Sequence, residues 1–558
     1  MVRKLAHCGY LSVVCLVAVT LVLSSCQTAP TATPTKAPSP TAVPQLAAAT
    51  PTTAPAAPAP TTAAPAQATA TRPPALTPTP AAQAKGKIIM VMSSEPPTMD
   101  PHQQTLEFPR MILSNMAENV TQRDPDTLEI KGLLAESWEQ VKPDTWRFKL
   151  RKGVKFHNGE VLDGAGVAWN LFRMSDKDIN SPMRRYLDVI KEVKAVDEST
   201  VDIVTSAPDP ILPVRLVVSP IIAPKQAKDN PEELATKMIG TGPYKFVDWV
   251  RGEFFRMTVN DAYWGKAPSI KDVTVLYRKE PAVRAAMLQT GEAQWAINIS
   301  PEDAKKVPKF VAATTVDTMA LRPNACFPDG GKFSDKRVRQ AISYAIDRQK
   351  MKETLFAGFT EVASQPYAPF VIGYDTKLKP YPFDPAKAKQ LVKDAGAEGF
   401  AFEYTADTGR FARDGEAQQA IVAMLGDVGL KPTLKNVDRL LWNTGWTAVK
   451  KDDKHLALTS WLHTNDLGDA VATLDPSVKT GGGRSLYCNA DVDKKIDVAR
   501  QATGEDRKRL MTELSNIIYD ELPIIPLFHI QYIYGTSKNL DWKPRIDLVV
   551  RVADMKQE

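Results

Sequence analysis

The sequence predicts a mixed α/β fold of two lobes. Two observations carry that reading: strand-like apolar or alternating runs recur along the chain, and amphipathic helical patterns fall between them. Length adds a third. Setting aside the first 86 of 558 residues leaves 472, more than the ~250–300 at which a single core stops growing, so two or three packed subdomains are expected.

In chain order, the first element is an export signal. Arg3 and Lys4 precede an apolar run over residues 11–23, too short to cross a bilayer comfortably but right for the h-region of a signal peptide at 1–25. Leu23-Ser24-Ser25-Cys26 resembles a bacterial lipobox, which implies that Cys26 receives diacylglycerol and becomes the mature N-terminus. Two or more acyl chains anchor a protein stably, so the chain is expected to be tethered to the outer face of the cytoplasmic membrane. Residues 27–86 follow with fourteen prolines among Thr, Ala, Ser and Gln, and with only Lys36, Arg72 and Lys85 charged. They have almost nothing apolar to bury and cannot offset the entropy of ordering, so 26–86 reads as a disordered linker behind the lipidated cysteine. Stretched as polyproline at about 3.1 Å per residue, it could reach roughly 190 Å.

The folded part opens on the apolar run GKIIMVM (86–92), a strand that leaves through the turn-rich EPPTMDP (95–101). TWRFKLRKGVKFHNGE alternates Trp146, Phe148 and Leu150 with Arg147 and Lys149, a half-buried strand running toward a turn at Asn158-Gly159. In FSDKRVRQAISYAIDRQKM, Val338, Ala341, Ile342, Ala345 and Ile346 recur at helical spacing behind Ser334, the expected N-cap. FDPAKAKQLVKDAG repeats the logic with Asp384 as cap, Pro385 in the first turn and Gly396 as the stop. A third helix is expected over 414–427, and strands over 272–278 and 455–461. There is no internal repeat of fixed period.

Charge and composition narrow the function classes. The formal charge is +6, falling to about +4 once Arg3 and Lys4 are cleaved, and it lies in no basic stripe with interleaved aromatics. Nucleic acid is therefore not an expected partner. Five cysteines include Cys8, Cys15 and Cys26 near the N-terminus, leaving Cys326 and Cys488 to pair or to sit as separate buried thiols. An enzyme reading has one handle, Lys479-Thr480-Gly481. That triplet belongs to serine acyl-transfer sites, which also need Ser-x-x-Lys, and no serine here has lysine three residues later. A Gly-x-Ser-x-Gly elbow, a His-Glu-x-x-His helix and a phosphate-binding Gly-x-x-x-x-Gly-Lys loop are also missing. The expectation is a binding protein, not an enzyme, with no cofactor and no dedicated metal site.

Four blocks follow one another in a recognisable order: LAESWEQVKPDTWRFKLRKGVKFHNGE, GTGPYKFVDWVRGEFFRMTVNDAYWG, FSDKRVRQAISYAID and YDELPIIPLFHIQYIYG. With them the chain resembles the family 5 solute-binding proteins of ABC transporters, the dipeptide, oligopeptide and nickel group, from about Lys87 to Trp542. The resemblance implies a type II periplasmic-binding-protein-like fold with a hinge. On this chain it implies lobe I at 87–120, 236–320 and 525–558, an inserted subdomain at 121–235, and lobe II at 321–524. It implies a monomer that captures a peptide or peptide-sized solute between its lobes and delivers it to permease and ATPase subunits. A sugar or a nickel chelate is the alternative cargo.

The conspicuous blocks read as scaffold, with Gly240, Gly242 and Pro243 forming a shaped turn. Ligand contacts are expected elsewhere: in the segment after the first strand, Thr105, Leu106, Glu107 and Phe108, and at the strand end SWLHTNDLGDA (460–470). In peptide-binding relatives, a carboxylate three residues beyond the tryptophan of that strand holds the peptide's ammonium. Here that position is Thr464, so either an insertion in the loop brings Asp466 to the same place, with Asp469 in reserve, or the ligand lacks a free α-amine. Trp442, Trp446 and Trp461 cluster in sequence, and their faces suit the walls of a ligand site. Trp442 and Trp461 are candidates for lining it. His463, eight residues from His455, is a further candidate contact. The family's usual Ala-Glu-Asp-Val appears as Gly164-Ala165-Gly166-Val167, which removes an acidic residue expected to act at a helix end.

Overall fold

The computed structural model describes residues 86–558 except 106, 180, 327–330, 409–410, 412 and 438–457. The signal run, Cys26 and the linker lie outside the described residues, as do Leu106, Trp442, Trp446, His455 and the side chain of Glu107.

One mixed sheet of eleven strands organises the chain. Ten run side by side in the order Lys431–Val437, Ala401–Asp407, Leu458–Thr464, Lys309–Pro323, Ile525–Thr536, Trp295–Ile297, Lys87–Met92, Asp272–Tyr277, Phe254–Val259 and Tyr244–Val250. Thr360–Val362 adds to Ile525–Thr536 off this path. The strand from the opening apolar run is buried on both faces and pairs in parallel with Asp272–Tyr277 and Trp295–Ile297. At the middle, Lys309–Pro323 lies antiparallel to Ile525–Thr536, with register shifts between Thr314 and Thr318 and between Met319 and Ala320. The strand expected at 455–461 is described as Leu458–Thr464, so the candidate loop begins only at Asn465. A separate antiparallel sheet joins Ala135–Lys142, Thr145–Leu150, Thr200–Thr205 and Ile190–Asp197. Phe148 and Leu150 point into its core as their alternation requires, and Gly159 takes the positive φ of +86° that the turn demands.

The helices follow their periodicity. In Lys336–Ala345 the residues Val338, Ala341, Ile342 and Ala345 are buried, and Ile346 closes the face. The N-cap is Asp335, whose carboxylate accepts from Arg337 N at 2.8 Å, and not Ser334. A short 3₁₀ turn, Lys332–Ser334, takes up Ser334 first: its hydroxyl donates to Gly331 O at 2.7 Å. Pro385–Asp394 has the expected cap, with Asp384 accepting from Lys387 N at 2.9 Å, and ends before Gly396 at φ +58°. Asp414–Asp427 is the third helix, over the expected residues. Asp163 caps Gly164–Ser175 by accepting from Gly166 N at 2.7 Å, and a Cβ on Gly164 would overlap the Asp197 carbonyl. Close packing thus explains glycine at the departure from the family pattern. Cys326 and Cys488 form a disulfide across a sequence separation of 162. Lys479-Thr480-Gly481 lies in a turn beyond Val471–Ser477, where Thr480 N donates to Asp493 at 2.9 Å.

Three buried histidines couple this fold to pH. His102 accepts from Arg173 on Nδ1 at 2.8 Å and donates from Nε2 to Pro220 O at 2.8 Å. His157 accepts from Gly240 N and donates to Gly242 O at 3.0 Å. His529 bonds Thr318 through Nδ1 at 3.0 Å. Burial pulls all three imidazoles from 6.5 down to about 4, with Arg173 adding to the effect at His102 and Lys245 at His157. A depressed histidine pKa favours the folded state while the ring is neutral. The stabilisation is complete above 6.5 and is lost as pH falls toward 4. Denaturant titrations should therefore show stability falling by roughly 3–4 kcal/mol per pH unit from these groups near pH 5.5. A flat profile between pH 6.5 and 4.5 would show that the rings take up protons in the folded protein as readily as in the unfolded chain.

Candidate ligand cleft

The cleft is built from four chain segments. Beyond the first strand, Asp100 accepts from His102 N at 2.9 Å and caps the turn Pro101–Gln103. The helix Glu107–Leu113 then presents Arg110. The wall that continues through Ser114 to Glu118 is fixed by the Gly240 to Pro243 turn. Gly242 N donates to Met116 O at 2.9 Å, and Cβ atoms on Gly240 and Gly242 would overlap the carbonyls of Met116 and Asn115. Glycine is required there by close approach of two backbones, so the block shapes the wall without lining the cavity.

Glu118 is buried at the end of this wall. It accepts from Tyr263 OH at 2.7 Å, from Trp264 Nε1 at 2.8 Å and from Thr241 OH at 3.0 Å. Burial pushes its carboxyl up, against those three bonds and the charge of Arg551. The two ends of one recognised block, Gly-Thr-Gly and Asp-Ala-Tyr-Trp-Gly, thus converge on one carboxylate. The last segment, 545–551, supplies Arg545, Asp547 and Arg551; Arg545 pairs with Asp547 at 2.6 Å and donates to Arg123 O at 2.9 Å.

The loop after Leu458–Thr464 closes the far side. Among the described residues, Arg110, Glu118, Arg123, Asp466, Asp547 and Arg551 are the charged side chains, with Arg545, around a cavity of about 70 Å³. Asp466 is 8% exposed. Its Oδ1 accepts from Arg110, its Oδ2 accepts from Tyr186 OH, and Arg185 stands 3.9 Å from Oδ2. Arg123 holds the same loop by donating to Leu467 O, and its guanidinium packs against Gly468, whose φ is +56°.

The other expected residues lie elsewhere. Thr105 is half-buried ahead of the helix, and Phe108 is buried edge-on to Tyr532 at 5.6 Å. Trp461 stacks on His463 at 4.3 Å and receives the Arg322 guanidinium on its ring at 4.8 Å. His463 Nε2 bonds Thr473 Oγ1 at 2.6 Å. None of these four lines the cavity. Asp469 is no reserve for Asp466: both its oxygens are taken by Arg507 at 2.8 and 3.1 Å, and Val471 N donates to it at 2.9 Å. Thr464 ends the strand, opposite Asp317.

Among the described residues, no group of three His, Cys, Asp or Glu side chains could hold a metal ion, and no helix is long and apolar enough to cross a membrane. Residues 129–484 match the model of the bacterial extracellular solute-binding proteins, family 5. The chain belongs to that family. This family 5 chain is 28% identical over 485 residues to the glutathione-binding protein GsiB of Salmonella paratyphi A, covering 83% of this chain and 92% of the relative. It is 26% identical over 451 residues to di/tripeptide-binding protein 2 of Pseudomonas aeruginosa, covering 75% and 84%. In fold it matches the periplasmic binding protein DppA of Helicobacter pylori, solved with the peptide STSA, at a TM-score of 0.75 and 23% identity, over 85% and 98% of the two chains. Type II periplasmic binding architecture is therefore the fold, and solute binding outside the cytoplasm is the family's work.

The sequence reading missed Arg110, Glu118 and Arg551. Arg110 carries no local signal, since its partner is 356 residues away. Glu118 had one: two glycines and a Tyr-Trp pair in a single block are more than a turn and a strand need. The two aspartates of the loop differ in kind, and mutation separates them. Asp469→Asn leaves Arg507 charged and buried, so equilibrium unfolding should show a loss of about 3–5 kcal/mol. A cost below about 1 kcal/mol would mean that the pair is not a buried structural one.

Proposed function

We propose that this chain is the lipid-anchored, monomeric capture component of an ABC importer, taking a peptide or peptide-sized solute into the cleft that Arg110 and Asp466 line together. Family membership and the peptide-binding relatives support the cargo class. The single observation that carries the site is the ion pair itself, which joins the helix after the first strand to a loop 356 residues further on. On this reading lobe I is 87–120, 236–320 and 525–558, the insert is 121–235, and lobe II is 321–524. The strands Lys309–Pro323 and Ile525–Thr536 run through the boundary, and the register shift at Thr314 to Thr318 supplies the bend. Ligand drives closure because it touches both lobes and so binds the closed state better than the open one. Energy comes from the partner ATPase, and no catalytic step is assigned to this chain.

Small-angle scattering on the full-length protein tests the motion: a saturating peptide pool should lower the radius of gyration. An unchanged radius with calorimetrically confirmed binding would count against hinge closure. Failure of every peptide pool to bind would transfer the cargo to a sugar, a metal chelate or another small solute.

The anchor is tested separately. Cys26→Ser should leave an unprocessed precursor or release the protein from the membrane fraction, whereas normal processing with unchanged membrane attachment would overturn lipidation at this residue.

A further inference from the structure

The inserted subdomain reaches the cleft through one residue that lies 280 positions from its partner. Asp466 is held from two sides. Arg110, on the helix after the first strand, donates to Oδ1, and Tyr186, in the short helix Arg184–Leu187 of the 121–235 insert, donates to Oδ2. The Tyr186 hydroxyl accepts in turn from Arg185, whose guanidinium stands 4.5 Å from the ring centre. A hydroxyl that accepts from a cation is polarised into a better donor toward the carboxylate beyond it, so the three groups form one chain of charge-assisted bonds. Arg123, also of the insert, donates to Leu467 O, one residue further along the same loop.

Tyr186 is itself braced from behind. Arg215 and Asp209 pair at 2.6 Å with both side chains buried, and Arg215 gives a second bond to Tyr186 O at 3.2 Å. Asp209 also accepts from Ile211 N at 3.1 Å, and its carbonyl takes Trp146 Nε1 at 3.0 Å. A buried ion pair adds little net stability over apolar packing. What this one does is fix the backbone of the residue that meets Asp466. Around the polar contact the apolar core is continuous: Leu187, Leu212 and Leu216 of the insert belong to the same buried cluster as Leu467, Val471 and Leu474.

We propose that the insert is a working jaw of the clamp and that Tyr186 is a positioning residue for capture: it holds the Asp466 loop at the cleft, and solute is retained less well without it. The proposal rests on the capture reading and its lobe assignment, and gives the insert a task within them. Tyr186 does not line the cavity, so it acts through Asp466 and not on the solute.

Tyr186→Phe keeps the ring and removes only the hydroxyl. Hydrogen exchange on the full-length protein without solute should show the backbone amides of residues 465–470 exchanging roughly tenfold faster in this variant, the scale of a lost hydrogen bond to a charged group. Arg147→Gln, which breaks the pair with Asp202 in the separate sheet of the insert, should leave those amides unchanged. With a peptide pool that binds the unmodified protein, calorimetry and stopped-flow should show about tenfold weaker binding in Tyr186→Phe, carried by faster release. In an Asp466→Ala background the same change should alter release by less than about twofold, whereas a general loosening of the fold would persist there. Unchanged exchange at 465–470 in Tyr186→Phe would overturn the contact as a jaw. Faster exchange with unchanged release would overturn the role in capture, and an effect of equal size in the Asp466→Ala background would overturn its assignment to Asp466. If no peptide binds the unmodified protein, the cargo reading fails by itself, and the exchange result still upholds or overturns the jaw.

Discussion

The antiparallel pairing of Lys309–Pro323 with Ile525–Thr536 is the constraint from which the rest of the architecture follows. It sits at the middle of the eleven-stranded sheet, with Leu458–Thr464 and its neighbours on one side and Trp295–Ile297, Lys87–Met92 and theirs on the other. A continuous ladder would make that sheet one stiff plate. The ladder shifts register between Thr314 and Thr318, and there Tyr532 OH donates to the buried Asp317 at 2.6 Å. A register shift interrupts the ladder and bends a strand locally, and the Tyr532–Asp317 bond lies beside that interruption. The two loops that meet at the cleft leave strands on opposite sides of this pair, so the spacing of the cleft depends on it.

The cleft in turn is a problem in buried charge. Seven charged side chains around one cavity would be prohibitive if unpaired. The chain resolves most of them within the protein: Asp547 with Arg545, Asp466 with Arg110, Glu118 with three neutral donors, and Arg123 with two carbonyls. Arg551 is the remaining cation, and its charge acts on the buried Glu118 carboxylate.

The reach of each interaction along the chain separates what was legible in the sequence from what was not. The helix around Val338 and Ile342 was readable because a 3.6-residue period records burial directly, and the cap at Asp384 because it acts within three residues. The cap at Ser334 was misplaced by one residue because two adjacent residues can both cap, and only the tertiary position of the 3₁₀ turn decides between them. Residue type alone could not tell Asp466 from Asp469. One faces Arg507 inside the core and the other faces Arg110 at the cavity, and both arginines are remote in sequence. Trp461 and His463 were attractive as ligand walls because aromatic faces suit them, yet each is the other's stacking partner on one face of a buried strand, two residues apart. The order of the family blocks carried the fold, while the cleft chemistry lay between the blocks.

A ligand must also compete with what the protein supplies to itself. Arg110 and Asp466 come from segments 356 residues apart in sequence, and their ion pair joins the two walls of the cleft. The pair is partly screened on the Arg110 side, which is 22% exposed, and screening keeps its contribution modest. Ligand can shift the equilibrium only by the difference between its affinities for the open and closed states. A cation that displaced Arg110 would exchange one ion pair for another and add little to that difference.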